Sequence, residues 1–376
     1  MDNLVMRVSP VFVEAHIADI HFGAINPEIQ YNILKEQFLN VIDSMDTLDI
    51  VSINGDIFHH KFMANSNAIM YACYFITQLI DICYRHNSTL IIIAGTYEHD
   101  SDQLKLFYPY INNRVDIRIV EEVKFEYVRG KRILVIPELY GKGKEYYNKF
   151  LFYSGYYDAV YMHGTYKGSI YGKDIGNLDS DREPVFEMND FVNCLGPIIS
   201  GHVHTPGCFD SYFYYCGSPY RWKFGEEEDK GFIILLHNIR TREHYINFEP
   251  IYSFRYDTIN LDSMIMEDPN TIIQYIKNLQ ANGIDNIRIQ FTKNNENTLN
   301  ILKTYYRSNP NVKIDSNIKN EQVLKEEQEL SNKYKEYDYL FDTGSSPEEK
   351  LVKYINQNKG EIFITVDDLV NILKSI

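Results

Sequence analysis

Cysteine is sparse in this chain: five in 376 residues, at Cys73, Cys83, Cys194, Cys208 and Cys216, and no C-x-x-C pair. An odd count without that spacing excludes a disulfide framework, and reduced thiols of a cytoplasmic protein are the expectation. Positive charge is also short, with 37 Lys and Arg against 52 Asp and Glu and a formal net charge of −15. That balance excludes a broadly basic surface as the means of holding nucleic acid. It leaves open a phosphate substrate reached through metal ions, a local basic patch or a basic partner. Long apolar runs are missing too. The most apolar stretch, residues 68–84, contains Gln78 and Asp81 and reads as a buried amphipathic helix, so no membrane span is expected. The first ten residues, MDNLVMRVSP, lack the basic-then-apolar order of a signal peptide.

What is present is a repeated pattern in the first 250 residues. Short apolar runs at 11–18, 48–53, 90–94, 118–122, 132–136, 159–162, 198–200, 212–216 and 232–237 read as strands. Helical spacing fills 27–44 and 65–86. Strands alternating with helices early, and strand-rich later, predict a layered α/β sandwich. Polar chemistry clusters where the runs end: Asp19 and His21, Gly55-Asp56 with His59 and His60, His99-Asp100, His163-Gly164, and Gly201-His202-Val203-His204. Seven of the 11 histidines sit in these clusters. In layered α/β folds the strand ends are where active sites are built.

Imidazoles at i, i+2 leave an extended backbone on the same side, so His202 and His204 make a natural start to a metal site. Two divalent ions about 3.5–4 Å apart need a bridging carboxylate and several N/O ligands each. Asp56, exposed at a strand end by Gly55, is the natural bridge. Asp19 and His21 make a pincer for one ion; His163 and one histidine of G-H-V-H suit the other, and the second histidine completes the first. Mixed His/Asp ligation without cysteine favours Mn²⁺, Fe or Zn²⁺ over Mg²⁺ and argues against a structural zinc. Such a site hydrolyses a phosphoester with a two-metal-activated water.

In the order D-x-H, G-D, H-D, H-G, G-H-x-H, the chain resembles the calcineurin-like metallophosphoesterases. More narrowly, GDIFHHK at 55–61 is similar to the G-D-[LI]-F-H form of the SbcD-type double-strand-break repair nucleases. YCGSPYRWKFGEEEDKGF at 215–232 likewise resembles their G-S…R…F-G-E…K-G-F segment. The resemblance spans residue 13 to about 232. It implies a four-layer sandwich, two sheets flanked by helices, over 1–250. A small αβ capping domain (251–318) and a helical segment (319–376) that docks on an SMC-like, SbcC-type ATPase would follow. It further implies two divalent ions, Mn²⁺ first with Mg²⁺, Fe or Zn²⁺ as alternatives, a homodimer, and DNA ends as substrate. By the same resemblance Asp19, His21, Asp56 and His204 would hold the first ion, and Asp56, His163 and His202 the second. His99 would protonate or orient the leaving group, and His59 would lie near the scissile phosphate.

One position departs. The family's loop reads Gly-Asn-His-Asp, its Asn carbonyl ligating the second ion, whereas this chain has Gly95-Thr96-Tyr97-Glu98-His99-Asp100. Glu98 is the expected substitute ligand, with Thr96 behind it. Elsewhere, His16 and His60 read as structural or surface histidines, Trp222 as structural near the site, and the acidic run 226–229 as a solvated turn. Lys142, Lys144 and Lys149, interleaved with Tyr140, Tyr146 and Tyr147, fit either a DNA backbone contact or a solvated loop. The leading reading is thus the nuclease subunit of a DNA repair or recombination complex, with the compact tail and altered loop pointing to a phage source. A stand-alone phosphoesterase on nucleotides or phosphoproteins is the first alternative. A catalytically weakened scaffold for DNA or the ATPase is the second.

Overall fold

A computed structural model describes residues 10–111, 114–169, 184–261, 268–291 and 296–316. The expected helical segment 319–376 lies outside them. Strand β1 (Val11–Ile17) is followed by helix α1 (Pro27–Leu34), which continues through a π-turn (Lys35–Leu39) into α2 (Asn40–Asp43). Next come β2 (Ile50–Asn54), α3 (Asn67–His86), β3 (Thr89–Ile93), β4 (Asp116–Val120), β5 (Lys124–Val128) and β6 (Lys131–Ile136). Then follow α4 (Asn148–Leu151), β7 (Ala159–His163), the short parallel pair β8 (Thr165–Tyr166) and β9 (Val185–Phe186), and β10 (Ile198–Gly201). Strands β11 (Gly207–Phe209), β12 (Phe213–Tyr215), β13 (Gly231–Asn238) and β14 (His244–Pro250) complete this part.

The strands form two six-stranded sheets, in the orders β14-β13-β1-β2-β3-β4 and β11-β12-β10-β7-β6-β5. In the first, β1 to β4 are parallel, with β13 and β14 added antiparallel. In the second, β12, β10, β7 and β6 are parallel, with β11 and β5 antiparallel at the edges. Strand alternation divides the first sheet's side chains between two layers. Ala15, Ile17, Val51, Ile53, Leu90 and Ile92 pack with α1 to α3, whereas Phe12, Ile50, Ile91 and Ile93 meet Ile133, Val135, Ala159 and Tyr161 of the second sheet. The second sheet's outer face packs with α4 through Leu134, Val160, Met162, Ile198 and Leu151. Helices, sheet, sheet and helical cover make the expected metallophosphoesterase-type sandwich. Helix α3 shows how local sequence serves it. Ser66 caps its start by accepting from the Ile69 N–H at 3.2 Å, Asn87 ends it in the left-handed conformation, and Ala72, Phe75, Ile76, Leu79 and Cys83 form its buried stripe.

The inter-sheet layer carries one polar network. Glu14, His16 and Lys131 are all buried; Lys131 and the Tyr161 hydroxyl both donate to the Glu14 carboxylate, and His16 meets Glu14 at 3.2 Å and Ser52 at 2.5 Å. Burial opposes the charge on Glu14, yet Lys131 and His16 hold its pKa below the usual carboxylate range. Removing one member leaves a buried charge uncompensated, so Lys131→Met is expected to cost about 3–5 kcal/mol in urea unfolding. Burial also lowers the pKa of His16, and that of His237 to about 3. Groups with depressed folded pKa add stability above their unfolded pKa and lose it as pH falls. Unfolding midpoints should therefore drop below about pH 6.5, by about 1.4 kcal/mol per pH unit for each such histidine.

Strand β15 (Tyr256–Asn260), α5 (Pro269–Ala281), β16 (Asn286–Phe291), α6 (Glu296–Tyr305) and β17 (Val312–Ser316) follow, their strands in the order β15-β16-β17. The chain divides into two compact units. The larger holds the described residues up to Ile259 with 270–288 and 306–313; the smaller holds the other described residues.

Candidate metal centre

Six parallel strands deliver side chains from their C-terminal ends to one place in the larger unit. Past β1 and β2 the chain keeps pairing across the loops. Asp19 N–H donates to Gly55 O at 3.1 Å, His21 N–H to Asp56 O at 3.0 Å and Phe22 N–H to Ile57 O at 2.8 Å. Asp19, His21, Asp56 and His202 all have positive φ, from 49° to 91°. Left-handed backbone at non-glycine residues costs on the order of 1–3 kcal/mol each and persists where packing over-determines it, often at functional sites. Gly55, at φ 88°, lies where any Cβ would enter the His163 ring. Gly201 is as tightly placed, since its Cβ would come within 2.8 Å of the Ala18 Cβ and 2.9 Å of His163 Nδ1.

The converging atoms fall into two groups around Asp56. Asp19, His21 and His204 form the first; His21 Nε2 and His204 Nε2 are 3.1 Å apart, and Asp56 Oδ2 lies 3.7 Å from His21 Nε2. Glu138, His163 and His202 form the second. His202 Nδ1 stands 3.2 Å from His163 Nε2 and 3.3 Å from Glu138 Oε2, and Asp56 Oδ2 is 3.4 Å from His163 Nε2. Asp19, Asp56 and His163 also lie close enough to share an ion, which ties the groups together. His21, His59 and His99 make a further cluster that shares His21 with the first.

The donor set suits divalent cations. His163 Nδ1 donates to the Asn54 carbonyl at 2.8 Å, so its Nε2 lone pair faces inward, as ligating histidines require. Two pairs of imidazole nitrogens face each other within hydrogen-bond reach beside one carboxylate oxygen, and a cation between them satisfies all of them. Asp19 and Asp56 are buried, and within 4 Å neither meets a Lys or Arg among the described residues. Their charges act on the His163 imidazole. Burial would lower that imidazole's pKa, but Asp56, then Asp19 and Glu138, raise it to about 10. Asp56 is conversely held well below the carboxylate range by His163, His21 and His99, against the effect of burial.

Around the two groups stand the residues that orient them. Asp100 accepts four backbone N–H groups, from Asp56, Ile57 and Gly95 at 2.9 Å and Phe58 at 3.3 Å, and so locks the loop after β2 to the loop after β3. Thr96 N–H donates to Asp56 Oδ1 at 2.7 Å, and its hydroxyl to Glu138 Oε2 at 3.1 Å. His99 Nδ1 donates to the His59 carbonyl, which turns Nε2 inward, 4.0 Å from Asp56 Oδ2. His59 is half-buried. Burial, then His99, lower its pKa to about 4, and its ring packs on Trp222 at 4.9 Å. Trp222 also lies 5.4 Å from the His21 ring and 5.5 Å from that of His204.

The predicted ligands Asp19, His21, Asp56, His163, His202 and His204 come together here, with His99 and His59 at the rim. Glu98 does not: it is exposed and belongs to none of the ligand groups among the described residues. The tight turn Gly95–Asp100, closed by His99 and Asp100 N–H donating to Thr96 O, directs Thr96 inward and Glu98 out. Sequence reasoning missed Glu138, which follows Pro137 at the end of β6; a lone Glu after a strand offers no spacing signal. It also misplaced Glu226. That residue is not in a solvated turn but is buried, accepting from Trp222 N–H at 2.8 Å and Lys223 N–H at 3.2 Å, with Oε1 3.7 Å from His204 Nδ1 and 3.6 Å from Lys230 Nζ. Lys230 in turn donates to His204 O at 2.8 Å. Glu226 is thus a positioning residue for His204, and Glu226→Gln should weaken divalent-metal binding about 10- to 100-fold in a calorimetric titration.

No family model matches the chain. Among curated proteins it is similar to "Putative phosphoesterase 244L" of Invertebrate iridescent virus 6, 24% identical over 231 residues that cover 59% of this chain and 75% of the viral one. The relationship is distant, and it agrees with a metallophosphoesterase-type sandwich whose strand ends carry two His/carboxylate groups.

Proposed function

We propose that the protein is a metal-dependent phosphodiesterase acting on DNA ends, the nuclease subunit of an SbcCD-like complex. The observation that supports it most is the pair of ligand groups with Asp56 Oδ2 between them, 3.7 Å from His21 Nε2 and 3.4 Å from His163 Nε2, and His99 facing them from the rim. Bound there, two divalent cations, Mn²⁺ foremost, would polarise a phosphoryl oxygen and acidify a water. The chain's own residues do the rest. Asp19, His21, Asp56 and His204 would hold one ion and Asp56, His163 and His202 the other. The His59 carbonyl holds His99 Nδ1–H, so Nε2 faces the centre, where the protonated ring would give its Nε2 proton to the leaving oxygen. Asp100 and Thr96 keep the carboxylate bridge in place.

The DNA assignment rests on the similarity of 55–61 and 215–232 to the SbcD-type nucleases, and the second segment contributes Trp222 and Glu226 beside His204. A local basic patch in this acidic chain is compatible with it. Lys142 and Lys149 flank the Tyr146 ring at 5.3 and 4.9 Å, whereas Lys144 is committed to Asp190 at 2.8 Å. A homodimer would use the aromatic group of Tyr31, Tyr71 and Tyr74, the last half-exposed; Phe75 lies in the core. The ATPase partner would dock on 319–376.

The test is Mn²⁺-dependent degradation of end-labelled linear duplex DNA, with the coiled-coil ATPase supplied. Cutting that stops with a chelator is the expected result. Turnover of a small chromogenic diester without DNA cleavage would move the assignment to a stand-alone phosphoesterase. Metal-independent DNA binding without turnover would leave a scaffold.

A further inference from the structure

We infer that Glu138 is the carboxylate ligand of the second ion, taking the place that the loop 95–100 leaves without an amide. The inference rests on the two-ion reading above. It concerns cation binding alone, so it stands or falls apart from any nuclease activity.

The geometry carries it. Glu138 Oε2 lies 3.3 Å from His202 Nδ1 and 3.7 Å from His163 Nε2, and the ligand atoms of these three residues form one of the compact groups of the centre. A carboxylate beside two imidazole nitrogens is a divalent-cation set. The side chain is held for that purpose. Thr96 Oγ1 donates to Oε2 at 3.1 Å, the Glu138 N–H donates to Ala94 O at 3.3 Å, and Pro137 stiffens the approach from β6. The Thr96 N–H donates to Asp56 Oδ1 at 2.7 Å, so one residue orients both carboxylates of the second site.

The consequence is a change of charge. With Glu138 added to the shared Asp56, three carboxylates (Asp19, Asp56 and Glu138) face the two divalent ions, and the second site gains a full negative charge of its own. A carboxylate in place of an amide carbonyl strengthens the site for hard cations such as Mn²⁺ and Mg²⁺ relative to one built on imidazole and amide alone. Glu98, exposed on the same loop, contributes nothing.

The experiment is a calorimetric titration of the metal-free full chain with Mn²⁺, with the bound ions also counted by electron paramagnetic resonance. Wild type and Glu98→Gln should each bind two ions and show the spin coupling of a close pair. Glu138→Ala, at a side chain a quarter exposed, should keep one ion at wild-type affinity, weaken the second about 100-fold and lose the coupling, whereas Glu138→Gln, whose amide carbonyl can still ligate, should lose less. The melting temperature of Glu138→Ala without metal should match wild type. Two ions bound at wild-type affinity by Glu138→Ala would overturn the assignment, as would loss of the second ion in Glu98→Gln. Two ions in wild type without phosphoester turnover would leave the ligand assignment standing and remove the hydrolase reading.

Discussion

Asp56→Asn is expected to abolish phosphodiester hydrolysis, a loss on the order of 10³-fold or more, and to weaken both ions at once. Among the described residues Asp56 stands between the two groups, and Asp19 reaches from the first toward His163. Asp56 Oδ2 faces His21 Nε2 at 3.7 Å, His163 Nε2 at 3.4 Å and His99 Nε2 at 4.0 Å. Its Oδ1 is held by the Thr96 N–H and its own N–H by Asp100. Asparagine keeps the shape but removes the charge, and where the carboxylate offered a lone pair it can turn N–H donors toward imidazole nitrogens that also need a cation. The fold should survive, because the backbone contacts that hold the loop do not involve the side-chain charge. Metal-free melting close to wild type, together with two lost ions, would separate loss of the centre from loss of structure. Hydrolysis at wild-type rate in this variant would refute a shared bridge.

His99→Ala is expected to lower turnover about 10²- to 10⁴-fold while both ions remain bound. The histidine stands outside the two Asp56-sharing groups, and its anchor is the His59 carbonyl rather than a ligand. A discriminating measurement is the dependence on leaving group. With DNA, the departing alkoxide needs a proton and the variant should be slow. With a p-nitrophenyl diester the leaving oxygen is stable as an anion, and most of the loss should disappear. Equal losses on both substrates would make His99 a structural member of the cage, and loss of an ion would make it a ligand of the cluster it forms with His21 and His59.

Much of the centre was legible because its chemistry recurs at one structural position. Apolar runs that end in His, Asp and Gly mark parallel strands emptying onto a common edge, and 11–18, 48–53, 90–94, 159–162 and 198–200 each became a strand of one of the two sheets. Three things were not legible. Strand β5 has mixed burial along KFEYV and depends on the turn at Arg129 and Gly130, both left-handed, to pair with β6. Strand β14, with exposed and half-buried residues alternating, sits at a sheet edge where apolar periodicity is weak. Glu138 and Glu226 look like solvent-facing acids in sequence; their burial follows from which strands neighbour one another in space. The same limit explains Glu98. Adjacency to His99 made it attractive, but a tight turn sends neighbouring side chains in different directions.

The most direct test of the account is to titrate the metal-free chain with Mn²⁺ while following hydrolysis of a simple phosphodiester and the number of ions bound. The account predicts no turnover in chelator, little with one ion, and full turnover when two ions are bound per chain. Full activity in chelator, or with a single ion, would contradict a centre built on two groups that share Asp56.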